Sequence, residues 1–264
     1  HPVDARRTRP AVALCKISRR KARDMRLLVI NPNTTRAMTA KIATAARRVA
    51  RPGTEIIATQ PDIGPESIQG FLDVARSQQG LLEVARRHPD VDAVVVACFD
   101  DTGVDALRCV FDGPVIGIGE AGFHAATMIA TRFAVVTTLA RSVPGLEDNL
   151  DRYGLARRCV GVRATDVPVL ELETHPARAE TRIAAEIAAA ISEDRADAIV
   201  LGCAGMADLN DRLARRFGLP VIDGVTCAVT LAEALVAAGL KTSPAGAYAG
   251  GTERARTVPC VAAP

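Results

Sequence analysis

Aromatic side chains are scarce in this 264-residue chain, which has no tryptophan, two tyrosines and six phenylalanines. Its net charge of +3 comes from residues 1–24, which hold eight basic and two acidic residues, whereas residues 25–264 hold 25 basic and 28 acidic ones. Nucleic-acid-binding domains need a basic face, and many also stack bases on aromatic rings. The composition therefore argues against a nucleic-acid partner.

Long hydrophobic runs are also missing. The longest apolar runs, such as Ala93–Ala97, fall far short of the roughly 18 residues that a membrane span requires, so no membrane partner is expected. Val12–Leu14 is too short for the apolar core of a secretory signal. We interpret residues 1–24 as a disordered basic leader or translated upstream sequence, and residues 251–264 as a flexible tail.

The seven cysteines are an odd number, and none stands in a CxxC pair or a Cys/His cluster with metal-ligand spacing. A chain of this length does not need a disulfide framework, so we expect a soluble cytoplasmic protein without a metal site. A pyridoxal cofactor would need a Schiff-base lysine, whereas Lys41 lies on a predicted helix between apolar positions. We therefore predict no cofactor.

Runs rich in valine and isoleucine alternate with segments of helical spacing. Continuous apolarity within a run indicates a strand that is covered on both faces, as in a parallel sheet flanked by helices. The pattern predicts an α/β fold. The predicted strands are Leu27–Ile30, Glu55–Thr59, Ala93–Ala97, Val115–Ile118, Phe133–Thr137, Val160–Arg163, Ala198–Leu201 and Pro220–Ile222.

The chain contains an internal repeat. "MRLLVIN" at 25 matches "TRFAVVT" at 131, "DAVVVACFDD" at 92 matches "DAIVLGCAGM" at 197, and "GPVIG" at 113 matches "LPVID" at 219. Three collinear matches in one register indicate a duplication. We predict two pseudo-symmetric lobes with the active site in the cleft between them: residues 25–118 plus 224–250, and residues 119–223. The last helix, Val225–Ala238, should return to the first lobe.

The repeat places Cys98 and Cys203 at equivalent strand ends, where ligands of parallel α/β sheets bind. Two opposed thiols can invert a carbon that bears an acidic hydrogen, one removing the proton as thiolate and the other returning it from the opposite face. Their sulfurs should then lie roughly 6–8 Å apart and unbonded. Free N–H groups at the following helix starts should lower both thiol pKa values and hold the enolate oxygen.

Several motifs resemble the hydantoin racemase and allantoin racemase family of the aspartate/glutamate racemase superfamily. They are "INPNTT" (30–35), "IGPESIQG" (63–70), "ACFDDTG" (97–103), "IGIGEA" (116–121), "VVTTL" (135–139), "LGCAGM" (201–206) and "VIDGV" (221–225). The resemblance spans residues 25 to about 248. It implies a cofactor-independent two-base racemase acting at C5 of a 5-substituted hydantoin, with Cys98 and Cys203 as the catalytic pair. We also expect a homo-oligomer.

The candidate substrate contacts adjoin the cysteines or follow equivalent strands. For Asn33 and the two threonines, capping of a helix or strand end is the alternative role, and for Asp100 it is the favoured one. The resemblance adds Ser67 and Ile68 as residues that cover the site. The predicted contacts are Asn33, Ser67, Ile68, Phe99, Asp100, Thr137, Thr138, Ala204 and Gly205.

Three other functions remain open from the sequence. Relatives in the superfamily racemise amino acids, isomerise maleate or decarboxylate arylmalonates, and the decarboxylases keep one of the two cysteines. A non-catalytic two-lobed binding protein predicts a cleft but no thiol pair. A redox sensor predicts a disulfide between Cys98 and Cys203.

Overall fold

A computed structural model describes residues 24–250, and the strands of this part of the chain form two parallel four-stranded sheets. The predictions for residues 1–23 and 251–264 lie outside the described residues. All eight predicted runs form strands: β1 (Met25–Ile30), β2 (Thr54–Thr59), β3 (Ala93–Val96), β4 (Val115–Gly117), β5 (Phe133–Thr137), β6 (Cys159–Ala164), β7 (Ala198–Leu201) and β8 (Val221–Asp223).

Helices connect the strands. They are α1 (Arg36–Val49), α2 (Phe71–Arg86), α3 (Val104–Val110), α4 (Ile118–Ile129), α5 (Val143–Arg152), α6 (Glu171–Thr174), α7 (Pro176–Ser192), α8 (Asn210–Phe217) and α9 (Gly224–Ala237). In α9, the Asp223 carboxylate accepts hydrogen bonds from the N–H groups of Val225 and Thr226, which have no partner within the helix. No helix within residues 24–250 combines the length and apolarity that crossing a bilayer demands.

The two sheets have the same topology. The strand orders are β2-β1-β3-β4 and β6-β5-β7-β8, with parallel pairing throughout. This confirms an α/β fold of two pseudo-symmetric lobes, here called lobe 1 (β1–β4) and lobe 2 (β5–β8). Helix α9 packs against α1 and β3 of lobe 1 and against α4. The exact division of the chain into lobes stays a prediction.

The strands are apolar on both faces because each sheet is covered on both faces. In β1, Leu27 and Val29 belong to a central hydrophobic cluster, while Leu28 and Ile30 pack on the outer side of lobe 1. The central cluster also contains Phe133 of β5 and other residues of lobe 2, so one core joins the lobes. The outer side of lobe 2 has a separate cluster.

Phe123 of α4 lies at the centre of the shared core and is fully buried. Its ring meets Phe99 edge-on at 5.3 Å between centroids and stacks on Phe133 at 6.0 Å. Phe99 follows β3 of lobe 1 and Phe133 begins β5 of lobe 2, so Phe123 links the segment beside Cys98 to the second sheet. Such aromatic pairs add stability beyond the area they bury.

We expect Phe123→Ala to destabilise the protein by about 3–5 kcal/mol, because it removes buried ring contacts and leaves a cavity in the shared core. Met128→Ala is the matched control: it lies on the same helix with 75% of its surface exposed and should change the free energy of unfolding by less than about 0.5 kcal/mol. Urea unfolding followed by circular dichroism measures both. Equal effects of the two substitutions would contradict this account of the core.

Candidate active site

The two candidate cysteines lie in one cavity between the lobes. Cys98 follows β3 by two residues and Cys203 follows β7 by two, and these strands occupy the same place in the order of their sheets. Both side chains line the same cavity, and both are free thiols. Cys109, Cys159 and Cys227 are not among its lining residues.

Most of the predicted substrate contacts line this cavity with the two cysteines. Ser67 and Gly205 do not: Ser67 Oγ accepts a hydrogen bond from Gln69 Nε2, and Gly205 lies behind Cys203. Five further residues line the cavity that were not among the predicted contacts: Met38, Ala97, Ser142, Val169 and Gly202. The lining residues are Asn33, Met38, Ile68, Ala97, Cys98, Phe99, Asp100, Thr137, Thr138, Ser142, Val169, Gly202, Cys203 and Ala204.

The cavity is narrow in this conformation. Its volume of about 30 Å³ accommodates about two water molecules and no five-membered ring. The loop of residues 61–70 contributes Ile68 to its lining, and this side chain is 9% exposed. This segment is held by Thr35 Oγ1, which donates to the Glu66 carbonyl at 2.6 Å, and by Arg141 of lobe 2, which donates to Gln69 Oε1.

Asn33 shapes the loop after β1 and also faces the cavity. Its Oδ1 accepts hydrogen bonds from the Thr35 N–H and from Asn31 Nδ2, both at 2.9 Å. Its Nδ2 lies 3.3 Å from the Met38 sulfur. The side chain therefore orders the turn ahead of α1 while lining the cavity, but it does not cap the helix, which begins without a side-chain cap.

Asp100 and Asp101 do not cap α3, which begins at Val104 without a side-chain cap. Asp101 instead binds the start of α4, accepting from the Gly119 and Glu120 N–H groups at 2.9 and 2.8 Å. Its carboxylate also accepts from the Tyr153 hydroxyl at 2.7 Å. Asp101 has a positive φ of 52°, a conformation that aspartate tolerates better than most residues. The favoured capping role of Asp100 is therefore wrong, and its carboxyl group lies in the cavity lining.

Both thiols have raised pKa values, so the prediction of lowered ones is wrong. Burial raises the pKa of Cys203 to about 11 and that of Cys98 well above its usual range, and the nearby Asp100 charge adds to both. The predicted helix starts are also too far away, since α3 begins at Val104 and α8 at Asn210. The helix dipole falls off within the first turn and cannot offset the loss of hydration.

Hydrogen-bond donors beside each thiol lower its pKa, as predicted, but their effect is smaller than the rise that burial causes. Thr102 Oγ1 lies 3.5 Å from Cys98 Sγ, and this contact and the Asp100 N–H lower the Cys98 pKa. The Gly205 N–H does the same for Cys203. Each thiolate thus has hydrogen-bond donors in place once it forms, and as a buried thiolate of high pKa it is a strong base.

The charge of the cavity is unbalanced. Among the described residues that line it, Asp100 is the one carboxylate, and there is no lysine, arginine or histidine. Burial raises the pKa of Asp100 to about 6, so its carboxyl group is mostly ionised at neutral pH. The described lining therefore presents one carboxylate and neutral polar groups to a ligand, and no cation.

Comparisons with known proteins show the family to which the chain belongs. A family model described as Asp/Glu/Hydantoin racemase matches residues 27–232. The hydantoin racemase of Rhizobium meliloti is 50% identical over 227 residues, covering 85% of this chain and 94% of the relative. The hydantoin racemase of Pseudomonas sp. (strain NS671) is 44% identical over 226 residues, covering 85% and 91%.

A solved structure of allantoin racemase from Klebsiella pneumoniae superposes with a TM-score of 0.84 at 47% identity, covering 86% of this chain and 94% of the other. The family model spans most of the chain, and the relatives match along nearly their whole length. The chain therefore belongs to the Asp/Glu/Hydantoin racemase family.

Proposed function

We propose that this protein is a cofactor-independent racemase that inverts C5 of a 5-substituted hydantoin, with Cys98 and Cys203 as a thiolate/thiol pair. The observation that carries the proposal is that one narrow cavity is lined by both thiols, one from each lobe. The names of the relatives support the substrate class, since these are hydantoin racemases and an allantoin racemase.

In the proposed reaction, one cysteine enters as thiolate and removes the C5 proton, forming its own thiol and a substrate enolate. The opposite cysteine then gives its thiol proton to the other face of C5 and becomes the thiolate, so the proton count balances over the turnover. The opposite enantiomer uses the two cysteines in exchanged roles. The N–H groups beside each cysteine, around Asp100 and Gly205, stabilise the negative charge as it forms.

The charge of the cavity favours a neutral ring over a carboxylate substrate. Amino diacids, malonates and maleate bring one or two carboxylates, and removing such a charge from water costs much free energy unless a cation or several hydrogen-bond donors receive it. The described lining offers Asp100 instead, which would repel them. A hydantoin carries N–H donors that an acceptor such as Asp100 can bind. This contrast supports the hydantoin proposal over the amino-acid racemase, maleate isomerase and arylmalonate decarboxylase alternatives.

Admission of the ring requires the cavity to open. The loop of residues 61–70 is tied to α1 through Thr35 and to lobe 2 through Arg141. We propose that this segment moves when substrate enters, with Ile68 closing over the bound ring. A cytoplasmic location and a homo-oligomer stay predictions from the sequence.

Replacing either cysteine by serine should abolish racemisation while leaving proton exchange at one face. In D2O, Cys98→Ser should exchange the C5 hydrogen of a single hydantoin enantiomer with retained configuration, and Cys203→Ser should exchange that of the other. Serine nearly preserves the shape of cysteine. The pKa of its hydroxyl group is so much higher that almost no alkoxide forms to act as base at neutral pH. NMR of each pure enantiomer, corrected for spontaneous exchange, measures the effect.

Cys109→Ser is the matched control, because this thiol lies outside the cavity lining and donates to the Ala247 carbonyl. It should leave both racemisation and exchange at the wild-type rate. Near-wild-type racemisation by Cys98→Ser or Cys203→Ser would show that the substituted cysteine is not a catalytic base.

A negative charge on the C5 substituent of the substrate should lower kcat/KM, because Asp100 repels it. We expect 5-(carbamoylmethyl)hydantoin to have a kcat/KM about 5- to 30-fold higher than 5-(carboxymethyl)hydantoin, since a second carboxylate near Asp100 costs about 1–2 kcal/mol. Asp100→Asn should bring this ratio close to one. A change in thiol pKa affects both substrates alike, so the ratio isolates the interaction between the two carboxylates.

The control for charge loss is Asp62→Asn, because Asp62 is an exposed residue of the loop of residues 61–70 whose carboxylate pairs with Arg87. This variant should keep the wild-type preference. A wild-type enzyme that prefers the carboxylate, or a ratio that Asp100→Asn leaves unchanged, would remove Asp100 from the proposed site.

A further inference from the structure

An ion pair joins the two lobes close to Cys203. Lys41 of α1 in lobe 1 places its Nζ 2.9 Å from Oε1 of Glu173, which lies on α6 in lobe 2. Both side chains are largely buried, with 26% and 20% of their surfaces exposed. Glu173 Oε1 itself is shielded from solvent, so the Lys41 ammonium group is the cation that balances it.

The two helices that carry this pair both pack against the turn that follows Cys203. This turn, Ala204–Met206, contacts α1 from one side and α6 from the other. A Cβ atom placed on Gly205 would lie 2.9 Å from Leu172 Cδ1 and 3.7 Å from Cys203 Sγ. Leu172, the neighbour of Glu173, therefore packs closely against the turn that follows Cys203.

The charges of the pair act on Cys203 in opposite directions. The Lys41 ammonium group lowers the Cys203 pKa, while the Glu173 carboxylate raises it, as does Asp100 in the loop after β3. Besides burial, the Asp100 and Cys203 charges raise the pKa of Cys98, and the Thr102 hydroxyl lowers it. Lys41, Glu173, Asp100 and Cys98 are thus the titratable and charged groups that face Cys203.

We propose that Lys41 and Glu173 are positioning residues: their ion pair joins the lobes beside the turn that follows Cys203, and its opposed charges set how fast this thiol reacts. Lys41 brings a cation from lobe 1 to the cysteine of lobe 2, and Glu173 holds that cation at a fixed place beside the turn. The catalytic meaning of the pair rests on the proposed function, in which Cys203 removes or returns the proton at one face of C5.

The test measures thiolate reactivity directly. Wild type, Lys41→Met, Lys41→Arg and Glu173→Gln are alkylated with iodoacetamide between about pH 6 and 10, and peptide mass spectrometry follows Cys203 and Cys98 separately. A nearby opposite charge shifts a pKa by about one to three, so Lys41→Met should slow alkylation of Cys203 near neutral pH by about tenfold. Glu173→Gln should accelerate it, and Lys41→Arg should restore the wild-type rate.

The opposite signs separate an electrostatic role from a structural one. If the pair merely tied the lobes together, Lys41→Met and Glu173→Gln would both loosen the site and change the Cys203 rate in the same direction. Changes of the same sign, or equal changes at Cys98 and Cys203, would overturn the proposal. Glu180→Gln is the matched control, since Glu180 binds Arg212 on the outer surface of lobe 2 and should leave both rates unchanged.

The readout does not use racemisation. A wild-type protein that racemises no hydantoin would reject the proposed function and still allow the Cys203 rates to be compared. A wild-type protein that racemises normally but shows no opposed shifts would reject the role of the ion pair alone.

Discussion

The partial burial of two thiols in one narrow cavity is the constraint on which the rest of the site depends. A buried thiolate loses its hydration, and the resulting rise in pKa outweighs the N–H and hydroxyl donors beside Cys98 and Cys203. Few thiolates then exist at neutral pH, but each one is a strong base toward a carbon acid. The N–H and hydroxyl donors beside the cysteines stabilise a thiolate once it forms. The described lining of the cavity contains no cation, which limits the ligands that the cavity can hold.

Each cysteine segment is held by the opposite lobe. The loop after Cys98 in lobe 1 receives hydrogen bonds from lobe 2, where Asn149 donates to the Asp100 carbonyl at 3.0 Å and Tyr153 donates to the Asp101 carboxylate. The turn after Cys203 in lobe 2 is contacted in return by α1 of lobe 1. This reciprocity follows from the duplication, and it makes the relative position of the lobes decide the relative position of the thiols.

The shared core gives the lobes a fixed base and leaves movement to the surface. Phe123 and its aromatic neighbours fill the space between the sheets, where substitution costs the most free energy. Residues 61–70, by contrast, form a loop that contributes Ile68 to the cavity and is held by hydrogen bonds to Thr34, Thr35 and Arg141. Such a loop can move without disturbing the packed core, as substrate entry and product release require.

The sequence by itself determined the fold and the two cysteines. Continuous apolar runs predicted all eight strands because a parallel sheet covered on both faces has no polar side. The internal repeat then placed Cys98 and Cys203 at equivalent strand ends. Motifs near those ends also identified Asn33, Asp100 and Thr137 as residues that the structure brings to the cavity. These features are local or periodic, so they can be read along the chain.

Only the tertiary structure decided the sign of the thiol pKa shifts, the partner of Asp101 and the position of Lys41. Burial depends on everything packed around a group, and it reversed a prediction made from neighbouring backbone N–H groups alone. Asp101 reaches α4 instead of α3 because its positive φ turns the chain. Lys41 meets Glu173 across 132 positions of sequence, and no local pattern encodes a contact that exists only after the two lobes have packed together.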